Sequence, residues 1–259
     1  MNRGGAVASG AAMGAAPLVS ERAGVRLLHF GSRWVQGAMR LQRPYALELD
    51  YTREMMLPLV LAGDAAWPRR VLMVGLGAAS QLRFLWRHRP RTSITVLEID
   101  PRVIAIARSA FKLPEDDRLA LVVGDAVATL PTLAEAFDWI LLDGFDARGS
   151  AGKLDAASFY AACRERLAPG AFLTANLLSR SRGVAPSVAR LAAAFGERVL
   201  VLPRCASGNT VAIARRDGGP ALAPREWKAG ALALKQSTGL DLRVTTGTLD
   251  AGAAARIAA

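Results

Sequence analysis

Two aspartates, Asp143 and Asp146, flank Gly144-Phe145 directly after the apolar run Trp139–Leu142. A strand ending there would hold both carboxylates at its mouth. Such a pair suits a cationic amine that has to lose a proton before it can attack. Deprotonating an amine with a lysine-like pKa of about 10.4 costs about 4 kcal/mol near neutral pH. A carboxylate about 4 Å from an ammonium contributes about 4 kcal/mol at an effective dielectric of 20, which holds the cation without deprotonating it. One of the two acids must therefore also accept the proton as the nucleophile attacks. The plainer reading of the pair is a capping Asp and a turn Asp.

Three further strand ends carry either a glycine turn or a carboxylate. Gly75-Leu76-Gly77 follows Val71–Val74, Glu98 follows Ser93–Leu97, and Gly124-Asp125 follows Leu119–Val123. Glycines at a strand-to-helix turn let backbone approach a ligand closely at the helix start. Ser80 stands where a dinucleotide fingerprint has its third glycine, which disfavours a standard NAD site. Glu98 lies 21 residues past Gly77, the distance at which an acid reaches ribose hydroxyls. Asp125 could accept from an adenine amino group, or simply cap a helix. Together these point to an adenosine-containing ligand without a pyrophosphate, S-adenosylmethionine or a relative.

The elements that must position these residues follow a strand-turn-helix rhythm from Arg70 onward. Ser80–Trp86 reads as a helix. Asp100-Pro101 reads as an N-cap with proline at the first helical position, and Val103, Ile104, Ala107, Ala110 and Phe111 form one apolar stripe. A helix over Ala156–Leu167, a turn at Pro169-Gly170, a strand Ala171–Ala175 and a helix Pro186–Phe195 come next. Arg198–Leu202 and Thr210–Ala214 close the series as a hairpin around Gly208-Asn209. Apolar strands alternating with helices predict an α/β fold, a doubly wound, mostly parallel seven-stranded sheet with one antiparallel strand. Its ligand is expected beyond the carboxyl ends of the strands, where strand order reverses. Residues 24–50 read as a small N-terminal β segment, with Gly31-Ser32 as a turn and Trp34, Gln36, Ala38 and Arg40 alternating on one face. One helix is expected over Tyr51–Ala62, ahead of the breakers Gly63, Asp64 and Pro68. The catalytic domain is placed at 51–216. Residues 1–23 read as a flexible leader without a compact apolar stretch, and 217–259 as a partly flexible extension with a short helix near Arg225–Gln236.

Composition narrows the function classes. The chain has 259 residues, 52% hydrophobic and 21% charged, so it fills a core and is not a disordered chain. Two cysteines, Cys163 and Cys205, exclude a disulfide scaffold and read as packing residues. No metal ligand set is expected. The longest apolar runs, such as Leu57–Ala62, are far short of a membrane span. A net charge of +11 invites a nucleic-acid role, but all but four of the 33 basic residues are Arg, scattered along the chain. Nucleic acid is therefore not the expected partner, and a cytoplasmic location is. The same charge works against long-range attraction of polyamines, which leaves amine selectivity to local acids such as Asp143 and Asp146.

The stretch from Leu142-Asp143-Gly144-Phe145-Asp146-Ala147-Arg148-Gly149 to Ser158-Phe159-Tyr160 resembles the Asp-Ser-Ser-Asp-Pro segment and later Phe-Tyr of the spermidine synthase family. The resemblance spans about Gly24 to Arg216 and is closest from Arg70 to Asn176. It implies an S-adenosylmethionine-dependent methyltransferase-like Rossmann fold behind a small β-domain, and an enzyme of polyamine biosynthesis, often oligomeric, expected here as a homodimer. The implied reaction moves an aminopropyl group from decarboxylated S-adenosylmethionine to a small-molecule amine. By position, Asp143 resembles the catalytic base, Asp146 a diamine-binding acid, Glu98 the ribose ligand, and Asp125 with Ala126 the adenine contacts. Gln36 matches a glutamine that reaches the nucleoside, and Gly75 and Gly77 the nucleoside loop. The sequence also departs from the family. Ala78 replaces an acid expected to hold the aminopropyl amine, Ala147 replaces a proline, and Ser150 stands for a second one. Thr52 stands where many members have a substrate-side Tyr, with Tyr51 adjacent. Asp155 is an acid that could stand in for the one lost at Ala78. Methyl transfer from S-adenosylmethionine on the same fold, or nucleoside binding without catalysis, are the alternative expectations.

Overall fold

The computed structural model describes residues 16–31, 35–146, 149–178, 183–219 and 223–258. Three strands, β1 (Pro17–Arg22), β2 (Val25–Phe30) and β3 (Gly37–Arg40), form a small antiparallel sheet. Residues 17–22 therefore do not belong to a loose leader. Leu18 and Val19 stay exposed on β1, so backbone pairing with β2, not an apolar pattern, defines this strand. Ser32 and Trp34 lie outside the described residues.

Two short helices follow, α1 (Asp50–Glu54) and α2 (Pro58–Leu61), where one helix was expected. Pro58 explains the break: it has no N–H to give and its ring clashes with the carbonyl four residues back. The main sheet is built from β4 (Arg70–Val74), β5 (Ser93–Glu98), β6 (Leu119–Val123), β7 (Phe137–Leu142), β8 (Leu167–Leu177), β9 (Val199–Val201) and β10 (Thr210–Arg215). Its order is β6-β5-β4-β7-β8-β10-β9, with β10 antiparallel to both neighbours. The fold class read from the sequence is thus the observed one. The start of β8 is earlier than expected. Leu167 already pairs with Phe137, and Pro169-Gly170 sits within an irregularity of one long strand.

Alternation along the strands sorts the core into two halves. Val71, Met73, Ile94, Val96, Trp139, Leu141 and Ile213 face α3 (Ser80–His88) and α4 (Pro101–Ala110). Leu72, Val74, Leu97, Ile140, Leu142, Leu173 and Ala212 share the other half with buried residues of α5 (Ala126–Thr129), α6 (Ala157–Arg166) and α7 (Ala185–Phe195). Both faces are covered, as a parallel sheet requires. The C-terminal extension is folded into the first half. Trp227, Ala231 and Leu234 of α8 (Pro224–Thr238), with Thr246 of α9 (Arg243–Gly247) and Ile257 of α10 (Ala251–Ala258), are buried. The short helix expected near Arg225–Gln236 is α8; the rest of the tail is too rich in Ala and Gly to announce itself. Among the described residues, no helix is long and apolar enough to cross a membrane.

The chain runs outward from β4 through β5 to β6, then returns to lay β7 on the other side of β4. Strand order reverses between β4 and β7, so a crevice opens beyond their carboxyl ends. The small sheet closes over it. Ser80 Oγ donates to the Ala38 carbonyl at 2.9 Å, and a methyl at Gly37 would lie 2.5 Å from the Ala78 Cβ. Gly37→Ala should push β3 off this loop and lower stability by about 1–3 kcal/mol, an overpacking cost that thermal and urea unfolding will read. Unchanged stability would show that the two sheets are not in close register.

Candidate active site

The crevice is a cavity of about 560 Å³ lined by all four strand ends. The residues assigned to the site from the sequence reach it, namely Gln36, Tyr51, Gly75, Gly77, Glu98, Asp125, Ala126, Asp143 and Asp146, whereas Asp155 does not. Ala78 and Thr52 line it too. Residues 147 and 148, and with them the Ala147 substitution, lie outside the described residues.

Gly75 sets the geometry. Its φ is +90°, and a Cβ there would meet the Asp143 carbonyl oxygen at 2.6 Å. The backbone continues both pairings beyond the strands: Gly75 N donates to Leu97 O at 2.9 Å and Asp143 N to Val74 O at 3.0 Å. The loop then passes into α3 through Ala79, whose φ of +53° is left-handed. Behind the loop lies Arg83, fully buried, whose guanidinium donates to the carbonyls of Pro44, Ala78 and Phe111. Burial lowers its pKa to about 10, so it still carries its charge near neutral pH.

Glu98 is buried and braces the same loop. One oxygen accepts from Leu76 N at 2.8 Å, the other from Asp100 N at 3.0 Å. Its pKa is raised because burial penalises the charge more than these N–H groups favour it. A solvated loop acid it is not. Asp125 does cap α5, accepting from Val127 N at 2.9 Å, while it lines the cavity. Asp146 sits exposed at the rim. It closes a turn with Ser150, whose N–H donates to Oδ1 at 2.8 Å.

Asp143 is the deep acid. Asn176 Nδ2 donates to its Oδ1 at 2.8 Å, and the Tyr51 hydroxyl is its neighbour in the cavity wall. Burial pushes its pKa up from 3.8 to about 6, against the polar Asn176 and Tyr51 side chains, which favour the ionised form. Tyr51 in turn is driven well above its ordinary value by its own burial and by the charge of Asp143. Asn176 and Asn209 were not foreseen in the sequence. A lone amide ending the apolar strand Ala171–Ala175 was the available signal for the first, and an Asn after Gly208 reads as turn chemistry. Asp155 does not replace the acid missing at Ala78. It is bonded to the Tyr160 hydroxyl and Ser187 Oγ, each at 2.8 Å, and ion-paired with Arg190. It lines a separate cavity behind 149–154.

The charges around the main cavity are uneven. Four carboxylates, Glu98, Asp125, Asp143 and Asp146, face it, against Lys153 as the one basic residue among the described lining. A chain of net charge +11 therefore presents a locally acidic crevice that concentrates cations.

Comparison with known proteins places this geometry. The Spermine/spermidine synthase domain matches residues 49–177. A curated polyamine aminopropyltransferase of Chromobacterium violaceum is 34% identical over 212 residues, covering 82% of this chain and 79% of the relative. The chain belongs to the spermine/spermidine synthase family. Its members are transferases, and the acid-lined crevice at the β4–β7 switch is this spermidine synthase homologue's candidate active site. Solved structures agree on the fold. A probable spermidine synthase from Corynebacterium glutamicum superimposes with a TM-score of 0.69 at 20% identity, covering 87% of this chain and 91% of that one. Human methyltransferase-like protein 13 in complex with SAH gives 0.66 at 22% identity, covering 74% and 93%.

Two outcomes are expected. Gly75→Ala forces a methyl onto the Asp143 carbonyl at a positive φ, so nucleoside binding should fall at least tenfold by calorimetry. Asp143 binds more protons folded than unfolded between pH about 4 and 6, so the stability it allows falls as pH rises through that window. Asp143→Asn removes this dependence. The variant should gain on the wild type from pH 4 to 6, by up to about 3 kcal/mol, and hold the gain above pH 6. Urea unfolding at pH 4.5 and 7 measures it; a constant difference would show that Asp143 is not the titrating group.

Proposed function

We propose that this protein transfers an aminopropyl group from decarboxylated S-adenosylmethionine to a small amine, with Asp143 as the proton acceptor. The observation that carries the reading is Asp143 at the cavity wall, bonded by Asn176 in a crevice whose other charges are nearly all acidic. The nucleoside lies against Gly75, Gly77 and Gln36, its ribose at Glu98 and its adenine at Asp125 and Ala126. Both reactants are cations, and the acidic lining suits both. The α-carboxylate of full S-adenosylmethionine would meet four acids there, whereas the decarboxylated form has none to repel.

In the step itself Asp143 takes a proton from the acceptor ammonium. The freed lone pair attacks the carbon next to the sulfonium, the C–S bond breaks, and its electron pair goes to sulfur, leaving a neutral thioether nucleoside. The new secondary amine keeps the positive charge that the sulfonium lost, and the proton on Asp143 leaves to water. A carboxyl at about 6 is ionised at pH 7 and is a better acceptor than one at 3.8 by about 3 kcal/mol. Asp146 at the rim is placed to hold a second positive charge of the acceptor.

One observation favours methyl transfer from full S-adenosylmethionine instead. Ala78 offers the aminopropyl amine no acid, Asp155 is ion-paired elsewhere, and the start of α3 is suited to a carboxylate. Calorimetry with the two nucleosides separates the readings. The proposal expects at least tenfold tighter binding of the decarboxylated form, together with amine transfer that falls at least 100-fold in Asp143→Asn. Preference for S-adenosylmethionine would give the site to methyl transfer, and unchanged turnover in Asp143→Asn would remove the base.

A further inference from the structure

At the open end of the sheet, three side chains stand in a row across three strands. Leu142 of β7 pairs with Ala175 of β8, so Asp143 and Asn176, one residue further on each, are cross-strand neighbours. Val211 of β10 pairs with Asn176, and Asn209 lies just before that strand begins. Asn209 Nδ2 donates to Asn176 Oδ1 at 2.8 Å, and Asn176 Nδ2 donates to Asp143 Oδ1 at 2.8 Å. Asn176 and Asn209 are only 6% and 9% exposed, so water is a poor substitute for either bond.

A primary amide has one end that accepts and one that donates. Once Asn209 occupies the Asn176 oxygen, the amide nitrogen can only face Asp143. A flipped Asn176 would set its N–H group against the N–H of Asn209 and its oxygen against the carboxylate, two repulsions for two lost bonds. The main chain of Asn209 is held by a closed loop. Cys205 N donates to Asn209 O at 2.8 Å and Gly208 N to Cys205 O at 2.9 Å. The loop is fastened to α1: Ser207 N donates to Asp50 Oδ2 at 3.0 Å, and Cys205 Sγ to Glu54 Oε2 at 2.9 Å. α1 also carries Tyr51, which lines the same cavity as Asp143.

We infer that Asn209 is a positioning residue that acts through Asn176, holding the amide so that its N–H faces Asp143 and keeps that acid ionised. The inference builds on the proposal that Asp143 is the base, but its geometry stands without any reaction. The other titratable groups that line the cavity with Asp143 are Tyr51 on α1, Glu98 at the end of β5, Asp125 before α5, and Asp146 and Lys153 after β7, with Asp50 beside Tyr51. All are common to the variants compared below.

The test is carboxyl carbon-13 NMR titration of the full-length protein without substrate, with Asp143→Asn assigning the resonance. Asn209→Ala should raise the Asp143 midpoint by about one pH unit, because the hydrogen bond that favours the charged form is no longer enforced. Asn176→Ala should raise it at least as much, and adding Asn209→Ala to it should change nothing more. Asn209→Leu, an apolar isostere of the same branching, repeats the measurement should the alanine variant fail to fold. An unmoved midpoint in a folded Asn209 variant, or an equal shift when Asn176 is already gone, would overturn the inference. The titration needs no turnover, so it reads the same whichever group the enzyme transfers, and failure of amine transfer is seen separately by calorimetry and assay.

Discussion

The site depends on one close approach. The ends of β4 and β7 come together so tightly that the chain at Gly75 has no room for a side-chain carbon against the Asp143 carbonyl. That contact places the Gly75–Gly77 loop and the proposed base in register, because each backbone continues its neighbour's hydrogen-bond ladder one residue past the strand. Glu98 then braces the loop from β5, and Arg83 ties its far side to the chain at Pro44 and Phe111. Loops alone would leave these groups free to drift. Here each is one bond from a buried strand end.

The electrostatics follow from the same placement. Excess positive charge is spread over arginines throughout the sequence, while four acids at three strand ends converge on one crevice. Field lines from carboxylates that run from buried Glu98 to exposed Asp146 are focused by the low-dielectric walls, so a cation near the mouth responds to the crevice more than to the distant surface. The conflict between a basic chain and the cationic substrate proposed for it is therefore one of averaging over the wrong distance.

Much of this was legible because it is periodic. Apolar strands such as Val71–Val74 alternate with capped helices such as the one after Asp100-Pro101, and that rhythm fixes the sheet and the location of its switch point. The acids and glycines at the strand ends followed from the same arithmetic. What could not be read depends on contacts far apart in the chain. Asn176 and Asn209 are separated by 33 residues and become neighbours only through the antiparallel return of β10. Asp155 looked like a spare acid until the structure paired it with Arg190. β1 shows too little apolar alternation to announce a strand, and the break after α1 needed the steric effect of Pro58 weighed against an unbroken apolar pattern.

The burial of α8, α9 and α10 against one face of the sheet has a consequence for biosynthesis. A chain emerging from the ribosome completes all seven strands of the main sheet by residue 215, yet Trp227, Ala231, Leu234 and Ile257, which cover part of one core half, come later. Until they are made, residues such as Val60, Ile213 and Leu200 lack part of their cover. Vectorial folding therefore passes through a stage with an assembled sheet and a sticky flank, the kind of species that chaperones hold. The last helices of this protein act as its closing clasp.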